Sequence, residues 1–321
     1  MNAQPSVLCP VDFSDASRVA LKYARATAAH FGGRLVILTV EDPLLTEAMD
    51  LGSGALWDPE DARLHLSRFA AKALGGNPLK NMAVDYLVAV GKPAQLILHT
   101  AQEQSCDLIV MSSHGLTGAR RMFFGSTTER VLRETTVPVL ITSPEAEGPE
   151  TLEALRRTVR HILVPVDLSI ASVRQVRIAR GLSEALAAPM VVTYVIEPVR
   201  SPLAAKLHLP SVESERKARA EDGLAQLIAT LPQGRSAEAL VAYGDPAEEI
   251  AKIARDRQIG LIVIGLHGSP AYGPRMGSVT YRVICLSHRL VLALPPVAET
   301  IQQTRSATAA TRNAVEPADV R

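Results

Sequence analysis

The sequence predicts an α/β protein built from two tandem domains, each a five-stranded parallel sheet wound on both faces by helices. Three observations carry that expectation. The chain repeats itself: "VLCPVDFSDAS" (7–17) returns as "ILVPVDLSIAS" (162–172), and "GKPAQLILHTAQEQSCDLIVMSSHG" (91–115) returns as "GDPAEEIAKIARDRQIGLIVIGLHG" (244–268). "GSTTERVL" (125–132) then returns as "GSVTYRVI" (277–284), so three blocks keep their order, as a duplication requires. Within each repeat, short apolar runs alternate with longer segments of helical period. Those runs are continuously apolar, as strands buried on both faces of a parallel sheet must be.

The elements follow in order. "SVLCPV" is the first strand. "SDASRVALKYARATAAHFGG" is a helix, with Ser14 as N-cap, Val19, Ala20, Tyr23, Ala24 and Thr27 at helical spacing, and a glycine pair as its stop. "RLVILTV" is the second strand, and a longer connection leads to a helix around 60–74. "MAVDYLVAVG" is the third strand, and Pro93 suits the first turn of the helix after it. "CDLIVMSS", "STTERVLRET" and "VPVLITS" complete the unit as strand, helix and strand. The first domain is expected over 1–145, a linker with Pro149 and Gly148 over 146–159, and the second domain over 160–296. The polar, small and aperiodic stretch 297–321 is expected to be disordered.

Composition removes several function classes. With 34 Lys+Arg against 33 Asp+Glu, the formal charge is +1, which argues against a nucleic-acid binder with a broad basic face. Aromatics at 4% are too few for stacking platforms. No apolar run approaches the ~18 residues of a membrane span. The N-terminus lacks the basic and apolar regions of a signal peptide, so a cytoplasmic location is expected. Cys9, Cys106 and Cys285 are scattered, sit in or beside apolar segments and lack metal-ligand spacing, as reduced buried thiols would. No metal site is expected.

The stretch that bears on function is "SSHGLTGARRMFFGST" (112–127). It begins at the carboxyl end of the fourth strand, where such sheets place ligands. It ends at a helix start, with Ser126 and Glu129 spaced as a capping box, so Gly125, Ser126 and Thr127 would present N–H groups to an anion. Taken alone, two glycines and a cap are also ordinary turn chemistry. Asp12 and Asp167 each follow "PV" at the end of the first strand of their unit, where a carboxylate can accept from adenine or ribose donors. His114 and His267 have no nucleophile and acid arranged beside them, so no catalytic residue is expected.

These residues together resemble the universal stress protein family in its tandem two-domain form. Its phosphate loop reads Gly-x-x-Gly, nine residues, then Gly-Ser/Thr. Here Ser112 to Gly115 precede nine residues (116–124) and Gly125-Ser126, with Ser112 in place of the first glycine. In the second unit Gly265 to Gly268 precede only eight residues (269–276) and Gly277-Ser278, with Pro270 and Pro274 inside the loop. The resemblance implies a Rossmann-like fold of the adenine nucleotide alpha hydrolase kind. It implies contacts to ATP or another adenine nucleotide from Asp12, Val40, Ser112, Ser113, His114, Gly115, Gly125, Ser126 and Thr127. Mg²⁺ is expected with the nucleotide, because phosphates normally bring it. The counterparts are Asp167, Val195, Gly265, Gly268, Gly277 and Ser278, and the first site is expected to be the stronger.

The resemblance also implies pairing between the last strands of the two units as an intramolecular pseudo-dimer, with a further homodimer of chains. The expected role is a stress-response sensor or regulator with at most slow ATP hydrolysis, since no GK[ST] loop or positioned base is present. The alternative left open is an interaction module of the same fold that acts through its dimer surfaces without nucleotide.

Overall fold

A computed structural model of the chain describes residues 4–44, 58–75, 82–113, 125–143, 147–198, 210–232, 237–266 and 277–296. The first half contains β1 (Ser6–Val11), α1 (Asp15–His30), β2 (Arg34–Glu41), α2 (Pro59–Ala73), β3 (Val84–Val90), α3 (Pro93–Glu103), β4 (Leu108–Ser112), α4 (Ser126–Glu134) and β5 (Val139–Thr142). A short helix, α5 (Leu152–Thr158), crosses the connection. The second half repeats the order with β6 (Ile162–Pro165), α6 (Ile170–Leu186), β7 (Met190–Ile196), α7 (Pro210–Ala229), β8 (Ala237–Tyr243), α8 (Pro246–Asp256), β9 (Leu261–Gly265), α9 (Ser278–Ser287) and β10 (Leu290–Leu294).

All ten strands join one sheet in the order β3-β2-β1-β4-β5-β10-β9-β6-β7-β8. Every pairing within a half is parallel. The junction is antiparallel, with Val139 opposite Ala293, Leu140 opposite Leu292 and Ile141 opposite Val291. Each half thereby pairs the edge it would otherwise leave open. The expected pairing of the last strands is what the sheet shows.

Side-chain alternation along these strands builds two cores. Val7, Cys9, Leu35, Ile37, Leu140 and Leu292 face the layer that holds α1, α2, α5, α6 and α7. Leu8, Val36, Val139, Ile141, Val291 and Ala293 face α3, α4, α8 and α9. Each core contains side chains of both halves, which meet at the β5–β10 junction. Burying one such Leu, Ile or Val side chain contributes about 1.5–3 kcal/mol.

The ends of the helices follow local chemistry. Ser14 caps α1 by accepting from the Ser17 N–H at 3.1 Å. Past its other end, Gly32 adopts φ 60°, which glycine enters without strain, while Ala187 takes the same place after α6 at φ 55°. The connection between the halves is more structured than its Pro and Gly content suggests. Thr151 caps α5 through the Ala154 N–H, and Leu155 and Val159 are buried against the first core. The stretch expected to be disordered, 297–321, lies outside the described residues.

Candidate functional site

The strand order reverses between β1 and β4 in the first half and between β6 and β9 in the second. A crevice at such a switch point, outside the carboxyl ends of the strands, is where open α/β sheets bind ligands. Here the strands themselves separate. The β1–β4 pairing covers Val7 with Leu108 and Leu8 with Ile109, yet β1 runs on to Val11 and β4 to Ser112. In the second half the pairing covers Ile162 with Leu261 and Leu163 with Ile262.

Asp12 directly follows β1 at the mouth of the first crevice and is half-buried. Its Oδ1 accepts from the Ser14 N–H (3.1 Å) and hydroxyl (2.5 Å), so the carboxylate braces the turn into α1. Asp167, its counterpart, is exposed, and its Oδ1 accepts from the Ser169 N–H (3.0 Å) and the Ser172 hydroxyl (2.9 Å). Ser14 caps α1 as expected, and Asp12 braces the same turn beside it. Between the aspartate and the serine stands a residue with positive φ in both halves, Phe13 at 63° and Leu168 at 58°. The left-handed region costs an apolar L-residue roughly 1–2 kcal/mol, and such strain gathers at functional turns. Phe13 holds this conformation against His65 and Phe69, whose ring centroids lie 4.8 and 5.1 Å away.

Across the crevice, Ser112 ends β4 and Ser113 follows it, both buried. The Ser113 N–H donates to the Thr142 carbonyl and its own carbonyl accepts from the Gly125 N–H at 3.1 Å. The Thr128 hydroxyl donates to the Ser112 carbonyl at 2.9 Å. The second half repeats the pattern: the Gly277 N–H donates to Leu266 at 2.8 Å, and the Thr280 hydroxyl donates to Gly265 at 2.7 Å. Both loops are thus pinched at the base by a glycine N–H and a threonine hydroxyl. Sequence reasoning passed over Thr128 and Thr280, although each stands three residues after the helix-capping glycine in "GSTT" and "GSVT".

One expectation fails here. Ser126 does not cap α4, and no capping box forms with Glu129. The N-cap is Gly125, at φ −60° and ψ 136°, and Ser126 is the first helical residue. The bond from Gly125 to Ser113 fixes that extended conformation, so the helix begins one residue early for the serine. Glu129 instead pairs with Arg133 at 2.5 Å. The helix start is still tied to the end of β4 through Gly125 and Thr128, and the N–H groups of Ser126 and Thr127 belong to a first turn that has no intrahelical acceptors for them. Ser278 opens α9 in the same way after Gly277.

Val40 and Val195 lie near the carboxyl ends of β2 and β7, one strand over from the switch point, and are half-buried. His114, Gly115, Gly268 and the prolines at 270 and 274 lie outside the described residues. Among the described residues no cluster of His, Cys, Asp or Glu is arranged to hold a metal ion. No helix among them is long and apolar enough to cross a membrane. Burial pushes the Cys9 thiol, in β1 beneath the crevice, far above its ordinary value, which suppresses the nucleophilic thiolate.

The second crevice differs in its interior. Gln175 on α6 is buried, and its Nε2 donates to Pro165 on β6 (2.6 Å) and to Val263 on β9 (2.8 Å). One amide thus stitches the two strands where their own pairing has ended. The repeat places Ala20 at the corresponding position of α1, and an alanine makes no such bridge.

Fold and crevice define a class: a tandem, doubly wound α/β protein with a ligand-type opening at each of two switch points. The family description "Universal stress protein family" matches residues 5–143 and 158–295, and the chain belongs to that family. A "Universal stress protein in QAH/OAS sulfhydrylase 3'region" of Thermus aquaticus is 32% identical over 139 residues, spanning 42% of this chain and 96% of its own. Among solved structures, a functionally unknown protein of Pseudomonas aeruginosa PAO1 matches with a TM-score of 0.65 at 16% identity, over 96% of this chain and 98% of that one. A universal stress protein of Archaeoglobus fulgidus matches with a TM-score of 0.60 at 18% identity, over 92% and 98%. At these identities the two structures speak for the fold, including its tandem form.

Proposed function

We propose that this protein binds ATP or a related adenine nucleotide, chiefly in the first crevice, and acts as a stress-response sensor or regulator. The observation that carries the reading is the separation of β1 from β4 between an acidic side chain and a helix start. Asp12 and Val40 take the adenine and ribose side, where a half-buried carboxylate accepts from polar hydrogens. The backbone from Ser112 to Gly115, with Gly125, Ser126 and Thr127, takes the ribose and phosphates, whose charge the α4 dipole favours. Mg²⁺ enters with the phosphates, as it ordinarily does.

Asp167, Val195, Gly265, Gly268, Gly277 and Ser278 form the second site, and three features weaken it. Its aspartate is exposed, its loop is one residue shorter, and Gln175 holds its strands at a fixed spacing. The two nucleotide-binding units are taken as 1–145 and 160–296. The protein works in the cytoplasm as a homodimer, and turnover of ATP is slow at most.

Calorimetric titration of ATP·Mg²⁺ into the wild-type chain and Gly125→Val tests the reading. Saturable heat from wild type, weakened at least about tenfold (1.4 kcal/mol) by a branched side chain at the cradle, is expected. Absence of heat from the wild type removes the proposal and leaves a module that acts through its surfaces.

A further inference from the structure

A third opening lies away from both crevices. It has a volume of about 210 Å³ and sits between the two halves, over the β5–β10 junction and under α1, α5 and α6. Leu140 and Leu292, opposite each other across the junction, line it together with Leu155 of α5 and Ile178 and Leu182 of α6. Phe31 lines it too and is 50% exposed, so the space reaches the surface there. None of the proposed nucleotide-binding residues that are described takes part.

The walls are almost entirely apolar, and so large an apolar recess is unusual in a close-packed protein. An apolar cavity of roughly 150 Å³ is enough to hold benzene, so this one admits a larger hydrocarbon. The rim has a different character. His30 lines the opening beside Phe31, their ring centroids 4.7 Å apart. Arg156 is exposed and donates to the carbonyl of Ala185, itself a lining residue, which places the guanidinium at the edge. Glu184, the neighbouring carboxylate, is paired with Arg180 at 3.5 Å.

We propose that this cavity binds a medium-chain fatty acid, with the aliphatic tail between the two halves and the carboxylate at Arg156 and His30. Apolar walls supply affinity for a chain without polar atoms. A guanidinium at the rim matches a carboxylate in charge and in its paired donors. Because the site is shared by α1, α5 and α6, its occupant touches both halves and their connection at once.

The test titrates the full chain with decanoate and, separately, with 1-decanol, both below micelle-forming concentrations. Saturable one-to-one binding of decanoate is expected, with or without ATP·Mg²⁺ present, so the result stands apart from the nucleotide reading. Leu182→Trp, which fills the space, lowers decanoate affinity by more than about tenfold through loss of buried chain. Ile178→Phe does the same and serves where the tryptophan disturbs folding, which a thermal melt reports. Arg156→Gln, on an exposed helix face, weakens decanoate roughly three- to tenfold and leaves decanol unchanged, because only the acid meets the guanidinium. The proposal is overturned if decanoate does not saturate, if binding ignores the filling substitutions, or if acid and alcohol respond alike to Arg156→Gln. It is also overturned if filling the cavity changes only the oligomeric state, since the opening would then be covered by a second copy.

Discussion

Thr128 donates its hydroxyl to the carbonyl of Ser112 at 2.9 Å, tying the first turn of α4 to the last residue of β4. Thr280 makes the same bond to Gly265 at 2.7 Å, so two loops of different length are closed by one device. Thr128→Val keeps the shape and removes the hydroxyl that donates to the Ser112 carbonyl, at a cost of about 1 kcal/mol or more. Urea denaturation reads that loss. ATP affinity should fall with it, whereas Thr280→Val should cost similar stability and leave the main nucleotide site unaffected.

Gln175 bridges β6 and β9 through Pro165 and Val263. Gln175→Leu fills similar space but strands two carbonyls, and a loss of roughly 2 kcal/mol or more is expected. Hydrogen exchange should accelerate in β6 and β9 and remain unchanged in β1 and β4. Equal protection in wild type and variant would show that the stitch carries no load.

Ala187 ends α6 in the left-handed region, where the first half uses Gly32. Ala187→Gly removes a steric penalty at an exposed position, and a stabilisation of about 1 kcal/mol is expected in urea melts. Gly32→Ala is expected to destabilise by a similar amount, because it installs the same penalty in the first half.

Arg282 donates to Asp245 at 2.7 Å and holds its carboxyl below the ordinary carboxylate value, helped by the Glu248 and Ala247 N–H groups and opposed by burial. A folded-state pKa below the unfolded one means that the folded chain binds fewer protons. Its contribution is present above the unfolded value of about 3.9 and is lost as pH falls through the folded value. The urea midpoint of Arg282→Gln should therefore lie below wild type at pH 7, and the gap should narrow as the pH drops below about 4.

Much of the fold was legible because its signals are local and repeated. Continuous apolar runs marked the strands, and Ser14, Pro93 and the glycine pair at 32–33 marked helix ends by their own chemistry. The cap of α4 was misassigned, because a long-range bond from Gly125 to Ser113 outranked the local pairing of Ser126 with Glu129. Helix α5 was hidden by Pro149 and Gly148 beside it, although Leu155 and Val159 stand four apart and bury one face. Phe13 and Leu168 gave no warning of positive φ, which packing imposes and composition does not reveal. Gln175 looked like one polar residue on a helix. Only the divergence of β6 from β9 gives its amide two carbonyls to join.

The central claim is an adenine nucleotide held chiefly in the first crevice, and native mass spectrometry of the full chain with ATP·Mg²⁺ tests it most directly. It counts nucleotides per chain for wild type, Asp12→Ala and Asp167→Ala, each checked for a cooperative melt. The account predicts that one nucleotide dominates in wild type, is lost in Asp12→Ala and persists in Asp167→Ala. No bound nucleotide in wild type, or equal loss from the two variants, would contradict it.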